Sequence, residues 1–194
     1  AYTYIREMGG EGLTQATEMA VLNAVYLRAL LHEEYPPASE KPSMHEYVTS
    51  DKKVKKETSV QTLDIAKRLM DYGYHPPTVY FPLVLPGALM IEPTESEVKG
   101  ELDRLCDALI AIRGEIQAIA EGRQPRAGNV LKNAPHTALA VTASEWTRSY
   151  SREAAAFPAP WVRENKFWPS VGRIDEAYGD RHLFCTCPPV DAVS

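Results

Sequence analysis

Two stretches of the chain set reactive side chains close together. Glu92-Pro-Thr-Glu95-Ser-Glu97 crowds three carboxylates into six residues, and His182-Leu-Phe-Cys185-Thr-Cys187 sets an imidazole beside two thiols. The acids could line a site, with Glu92 or Glu95 facing a ligand, or they could open a helix. Local chemistry favours the helix. Thr94 with Glu97 three residues on is the pattern of a capping box, in which each side chain satisfies a free backbone N–H at the other. Carboxylates are also stabilised in a first helical turn. In the tail, two thiolates and one imidazole fall one ligand short of a closed soft-metal site, so Cys185 and Cys187 read better as redox candidates. The other histidines (His32, His45, His75 and His136) share no HExxH or comparable ligand spacing, and no metal is expected. His75 and Glu92 stand as cleft candidates. So do Arg152 and Arg173, whose guanidinium forks could clamp a carboxylate or phosphate. Pairing with a neighbouring acid is the plainer role for each arginine. Cys106, beside Leu105, reads as core packing. There is no GxSxG elbow, P-loop or dinucleotide-binding glycine pattern.

The elements that would position these residues follow from periodicity. Leu13, Ala16, Ala20, Ala24, Leu27 and Leu31 form one face of a helix opening at Thr14 and ending near Glu34, where Pro36-Pro37 forbids continuation. Asn23, on the same face, reads as a hydrogen-bonded interface residue. His45 to Val48 is a short strand, and Lys52-Lys-Val-Lys55-Lys56 a solvated turn. A second helix spans about Val60 to Tyr72, with Leu63, Ala66, Leu69 and Met70 inward and Gly73 as its stop. Thr78 to Phe81 and Leu89 to Ile91 are strands, parted by the Pro86-Gly87 turn. From Val98 to about Glu121, Leu102, Leu105, Leu109, Ile112, Ile116 and Ile119 recur at steps of three and four, and Gly122 ends the helix.

Residues 1–121 therefore read as an α+β layer, a few mostly antiparallel strands covered on one side by helices. Residues 122–194 read differently. Prolines are frequent, aromatics cluster in FPAPWVRENKFWP, and no long periodic helix occurs. Such an arm is expected to dock over a larger body, since a free one exposes too much apolar surface.

The chain has 194 residues and a net charge of −5, with a sequence pI near 5.6. That balance argues against a nucleic-acid surface. No apolar run is long enough to span a bilayer, and the N-terminus lacks the pattern of a signal peptide. Starting without methionine and running almost at once into a helix, the sequence reads as a fragment or a processed chain. Three cysteines make no disulfide framework, so a reducing compartment is expected.

Several long irregular words then carry a resemblance: AKRLMDYGYHPPT, MIEPTESE, ELDRLCDALIAIRGEI, the Ser149-Tyr-Ser-Arg-Glu153 form of PYSRE, AAAFPAPWVRENKFWP and RIDEAYGDRHLFCTCPP. Together they resemble the C-terminal end of the glycine decarboxylase family, the P-proteins of the glycine cleavage system. The resemblance covers residues 1–36 and about 60–190. It departs where PASEKPSM replaces a Gly-x-x-Gly-Arg turn and where Ala88 stands for a usual threonine.

The resemblance implies the small C-terminal domain of an aspartate-aminotransferase-like fold type I enzyme. In the complete enzyme pyridoxal phosphate would be the cofactor, and the aminomethyl group left from glycine would pass to the lipoyl arm of H-protein. The implied partners are the remaining large domain, lipoylated H-protein and a second subunit in a homodimer. A eukaryotic source implies the mitochondrial matrix, a bacterial one the cytoplasm. The family's cofactor lysine lies in an Asn-Leu-His-Lys context that none of the nine lysines here shares, so the chain alone is not expected to be an enzyme. A free-standing remnant serving as a binding or structural subunit is the alternative. Cys185 and Cys187 would end near the cleft mouth, within reach of a cysteine of the large domain.

Overall fold

Three short strands form one antiparallel sheet in the order β1-β3-β2, with β1 Tyr47–Ser50, β2 Thr78–Val79 and β3 Ala88–Ile91. This is a computed structural model, and it describes residues 1–183. The central strand β3 is buried along its whole length, as an apolar run flanked on both edges requires. Its register sets Tyr47 against Ile91 and Ser50 against Ala88 on one side, and Thr78 against Met90 on the other. β1 starts two residues later than the sequence suggests and includes Thr49 and Ser50. Their polarity is absorbed because each hydroxyl donates to a backbone carbonyl, of Pro36 and of Pro86. β2 stops at Val79, short of the expected Phe81. Tyr80 turns into the left-handed region at φ 59°, and Pro82 has no N–H to continue the ladder.

Helix α1 runs from Tyr2 to Leu31, starting well before Thr14, with a kink at Gly9 where φ is 61°. Only its last third enters the core, through Asn23, Ala24, Leu27 and Leu31. Asn23 is the interface residue its position suggested, its amide donating to the carbonyl of Thr94 at 2.8 Å. The lysine run is a helix and not a turn: α2, Lys52–Thr58, buries Val54 and Thr58 and leaves its four lysines exposed. Buried Asp51 precedes it, and its carboxylate accepts from the N–H of Thr62 at the start of α3, Thr62–Asp71. Gly73 closes α3 as expected. It sits at φ 90°, and the Tyr74 N–H returns to the Leu69 carbonyl.

Helix α4, Lys99–Ala120, supplies much of the core through Leu102, Cys106, Leu109, Ile112, Ile116 and Ile119. Cys106 is packing, as its position implied, and burial pushes its thiol up to about 12. Gly122, at φ 75°, lets the Arg123 N–H cap the Ala118 carbonyl. The capping box expected at Thr94 does not form. The cap residue is Val98, and Thr94 instead accepts from the Ser96 and Glu97 N–H groups in a turn ahead of the helix. The stretch belongs to that turn because Asn23 pins the carbonyls of both Thr94 and Glu97.

Beyond α4 the chain is not simply extended. Between residues 122 and 183 it forms five short helices: α5 Val130–Asn133, α6 Ala138–Thr142, α7 Arg152–Ala156, α8 Pro160–Glu164 and α9 Glu176–Arg181. Hydroxyl or amide side chains cap several of them, Asn129 on Lys132, Thr137 on Ala140 and Ser151 on Ala154. This segment packs on the helices. Leu131, Ala159 and Val162 belong to the same buried cluster as α3 and α4, and the Trp161 ring lies 6.5 Å from that of Tyr72.

Candidate functional site

A groove opens at the end of the sheet where β3 stops. Its walls are the α3–β2 loop with His75, Pro76 and Pro77, the end of β3 and the residues just past it from Met90 to Pro93, Glu97 in the turn before α4, and the first turns of α4 with Glu101 and Arg104. Its volume is about 520 Å³, within the range of ligand clefts. His75 reaches it because the glycine stop of α3 turns the chain sharply outward. Glu92 reaches it as the first residue past β3. The structure thus brings two of the sequence candidates, His75 and Glu92, to one groove. Arg104 is committed within it, donating to the Tyr74 hydroxyl at 2.9 Å and paired with Glu101.

Glu92, which lines this groove, also meets His45 and Glu46, with one ligand-type atom from each of the three lying within 4.8 Å of the others. Glu46 and Glu92 flank the Tyr47–Ile91 pair that ends the sheet, so strand pairing forces them together. Ligand spacing along the sequence could not show this, because the third residue lies just past a strand more than forty positions away.

The two arginine candidates lie elsewhere. Arg152 donates to the carbonyls of Val141 and Ser144 and stacks over the Trp146 ring at 5.4 Å. Arg173 donates to Asp64 at 2.5 Å and to the carbonyls of Leu131 and Ala134. Both guanidiniums bind the protein itself. Cys185 and Cys187 lie outside the described residues.

A buried charged cluster had no signature in the sequence. Arg68 is 1% exposed; it takes a two-pronged contact with Glu115 (2.6 and 3.0 Å), a bond to Asp71 at 3.0 Å, and bonds to the carbonyls of Ala154 and Ala155. Asp71 accepts from the His136 backbone N–H at 2.7 Å and pairs with ring Nδ1 at 2.8 Å, while Nε2 meets the Tyr150 hydroxyl at 2.7 Å. Burial alone would push Asp71 up, but its bond to His136 and the Arg68 charge hold its carboxyl below the usual range. This cluster fastens residues 136–155 onto α3. A carboxylate–imidazole–phenol chain can move protons in principle, but here every member is tied to the packing.

The comparisons with known proteins agree with one another. Residues 16–136 match the family described as "Glycine dehydrogenase, C-terminal domain". The chain is 53% identical over 197 aligned positions to a glycine dehydrogenase (decarboxylating) of Nostoc punctiforme, covering all of this chain and 20% of that protein. It is 55% identical over 190 positions to that of Thermosynechococcus vestitus, covering 96% of this chain and 20% of the relative. The mitochondrial protein of the same name from Mus musculus is 51% identical over 195 positions, covering 98% of this chain and 19% of its own length. The chain spans about a fifth of the length of these relatives.

Proposed function

The chain belongs to the glycine dehydrogenase C-terminal domain family, and from that membership we propose that it serves as the C-terminal part of a glycine decarboxylase. In this reading the complete enzyme removes CO₂ from glycine and passes the aminomethyl group to the lipoyl arm of H-protein. The chain would be the small domain of a fold type I enzyme. The observation that carries the reading is identity of 51–55% over essentially the whole chain, confined to about a fifth of each relative. The uncovered apolar side of α1 supports it, since Leu22, Val25, Met19 and Ile5 are each more than 40% exposed.

Pyridoxal phosphate, when bound, supplies the electron sink for the carbanion left by decarboxylation. The described residues do not build a site for it. Lys132 is held by Asp64 and the Ser59 carbonyl, and Lys166 by the Asp71 carbonyl; Lys67 pairs with Glu176. The other lysines stand exposed on the surface. No chemical step is therefore assigned to this chain. Its part would be to close the cleft against the large domain, with the groove bearing His75 and Glu92 as the polar surface offered to it.

A chimera tests this. A glycine decarboxylase whose own C-terminal fifth is exchanged for these residues is expected to keep glycine decarboxylation and exchange of the carboxyl carbon with bicarbonate. A folded, cofactor-loaded chimera with neither activity would count against the reading. The isolated chain is expected to show no aldimine absorbance with pyridoxal phosphate.

A further inference from the structure

We propose that His45, Glu46 and Glu92 bind a divalent first-row transition-metal ion at the end of the sheet. Three observations carry the proposal. Glu46 and Glu92 flank the Tyr47–Ile91 pair, so their carboxylates meet across the strands, where like charges are destabilising. Among the described residues no lysine or arginine pairs with either. Glu92 has no hydrogen-bond or ion-pair partner there, and the only one Glu46 has is His45. The arrangement therefore concentrates negative charge that a cation would neutralise.

The spacing suits a metal. His45 Nε2 lies 3.4 Å from Glu46 Oε1, and all three ligand atoms lie within 4.8 Å of one another. Two ligands bonded at ~2.1 Å in a tetrahedral arrangement stand ~3.4 Å apart. The first pair already has that separation, and Glu92 must draw in by little more than an ångström. The backbone that carries them is fixed. Tyr47 and Ile91 are buried, and the Tyr47 hydroxyl is bonded to the Tyr35 carbonyl. Side chains half-exposed to solvent supply the remaining adjustment, with His45 at 59% and Glu46 at 38%.

The donor set selects the metal class. One imidazole nitrogen and two carboxylate oxygens suit zinc, cobalt or manganese, whereas calcium and magnesium favour oxygen donors throughout. Three protein ligands leave open positions for water or for an anionic group in the adjoining groove. A bound ion would also staple β1 to β3.

The test is a titration of the full 194-residue chain with Co²⁺, read by visible d–d absorption and by the thermal midpoint. One saturable site per chain and a midpoint that rises with the metal are expected. H45Q and E92Q should each weaken binding by about tenfold or more, since loss of an outer partner alone costs that much. E95Q, whose carboxylate accepts from the Tyr4 hydroxyl instead, should bind as the parent does. Circular dichroism confirms that the surface variants keep the fold. Absence of saturable binding overturns the proposal, as does equal binding by the parent and E92Q. A thermal midpoint that does not move with cobalt overturns it too.

Discussion

His136 holds Asp71 twice, through its backbone N–H at 2.7 Å and its ring at 2.8 Å, and so ties the loop after α5 to the last residue of α3. Arg68, one turn back on α3, completes the buried cluster. Removing Arg68 strands Asp71 away from water and leaves Glu115, 23% exposed, without its partner. Arg68→Met is therefore expected to cost about 3–5 kcal/mol, because Asp71 and Glu115 lose their shared counter-charge. Urea unfolding checks this. A loss below about 1 kcal/mol would mean that the cluster is wetter than its burial implies.

A second expectation rests on Gly87. At φ 67° it occupies the left-handed region, and a Cβ placed there would meet the Asp51 carboxylate at 2.0 Å. Its carbonyl also accepts from the Asp51 N–H and the Thr62 hydroxyl. Gly87→Ala therefore adds a clash to the backbone strain of about 1–3 kcal/mol. The Asp51–Thr62 contact should be lost with it. Amide exchange at Thr62, faster in the variant, would report that loss directly.

Thr94 and Asp64 show where the sequence was readable and where it was not. Thr94 carries a helix-start pattern in the sequence, and Asp64 falls in the first turn of α3. Thr94 is exposed in a turn governed by Asn23, a residue seventy positions away, and short-range pattern has no access to that contact. Asp64 is buried and takes the Gln61 N–H, Lys132 and Arg173 together. The long periodic helix α4, the glycine stops at 73 and 122 and the Asn23 interface were legible because each depends on neighbours within a few turns or on one simple face. The buried charges of α3 were not. They lie on a side that looks solvent-facing until residues 122–183 fold over it, and the meeting of Glu46 with Glu92 depends on strand register in the same way.

The contrast is measurable. Thr94→Ala should change stability by less than about 0.5 kcal/mol, as for an ordinary surface position. Asp64→Asn should cost about 1–3 kcal/mol, because it leaves Lys132 and Arg173 with weakened acceptors. Equal effects of the two substitutions would contradict these roles.

Stability should respond to pH through Lys166. Burial lowers its ammonium to about 8, outweighing the pull of the Asp71 carboxylate. An unfolded chain keeps that proton to about 10.4, so it binds more protons than the folded chain between about pH 8 and 10 and stability rises across that window. Above about 10 the slope should reverse. There Tyr35 and Tyr72, raised by burial, hold protons that the unfolded chain has lost. At the acid end, Asp71 is depressed, so its contribution is complete above about 3.9 and lost as pH falls through its lower folded value. Lys166→Gln is expected to flatten the rise between pH 8 and 10 and leave the acid limb alone. Denaturant midpoints taken across pH for parent and variant would show it.

The uncovered side of α1 gives the last expectation. Val21, Leu22 and Val25 line an apolar surface groove with Leu13, and Leu22 is 57% exposed. In the isolated chain these side chains contribute little to the core, so Leu22→Asp should shift the unfolding midpoint by no more than an ordinary surface change, about 0.5 kcal/mol. Within a complete glycine decarboxylase the same face would be buried, and an aspartate there would carry an unpaired charge into an apolar contact. The substitution is then expected to lower the stability of the whole enzyme far more than that of the part, with loss of activity following loss of the domain contact. Sedimentation of the isolated chain adds an independent reading, because an exposed apolar face should drive self-association that Leu22→Asp relieves. If Leu22→Asp destabilises the isolated chain by several kcal/mol, the face is already covered by the chain's own residues. If it leaves the complete enzyme untouched, the large domain docks elsewhere.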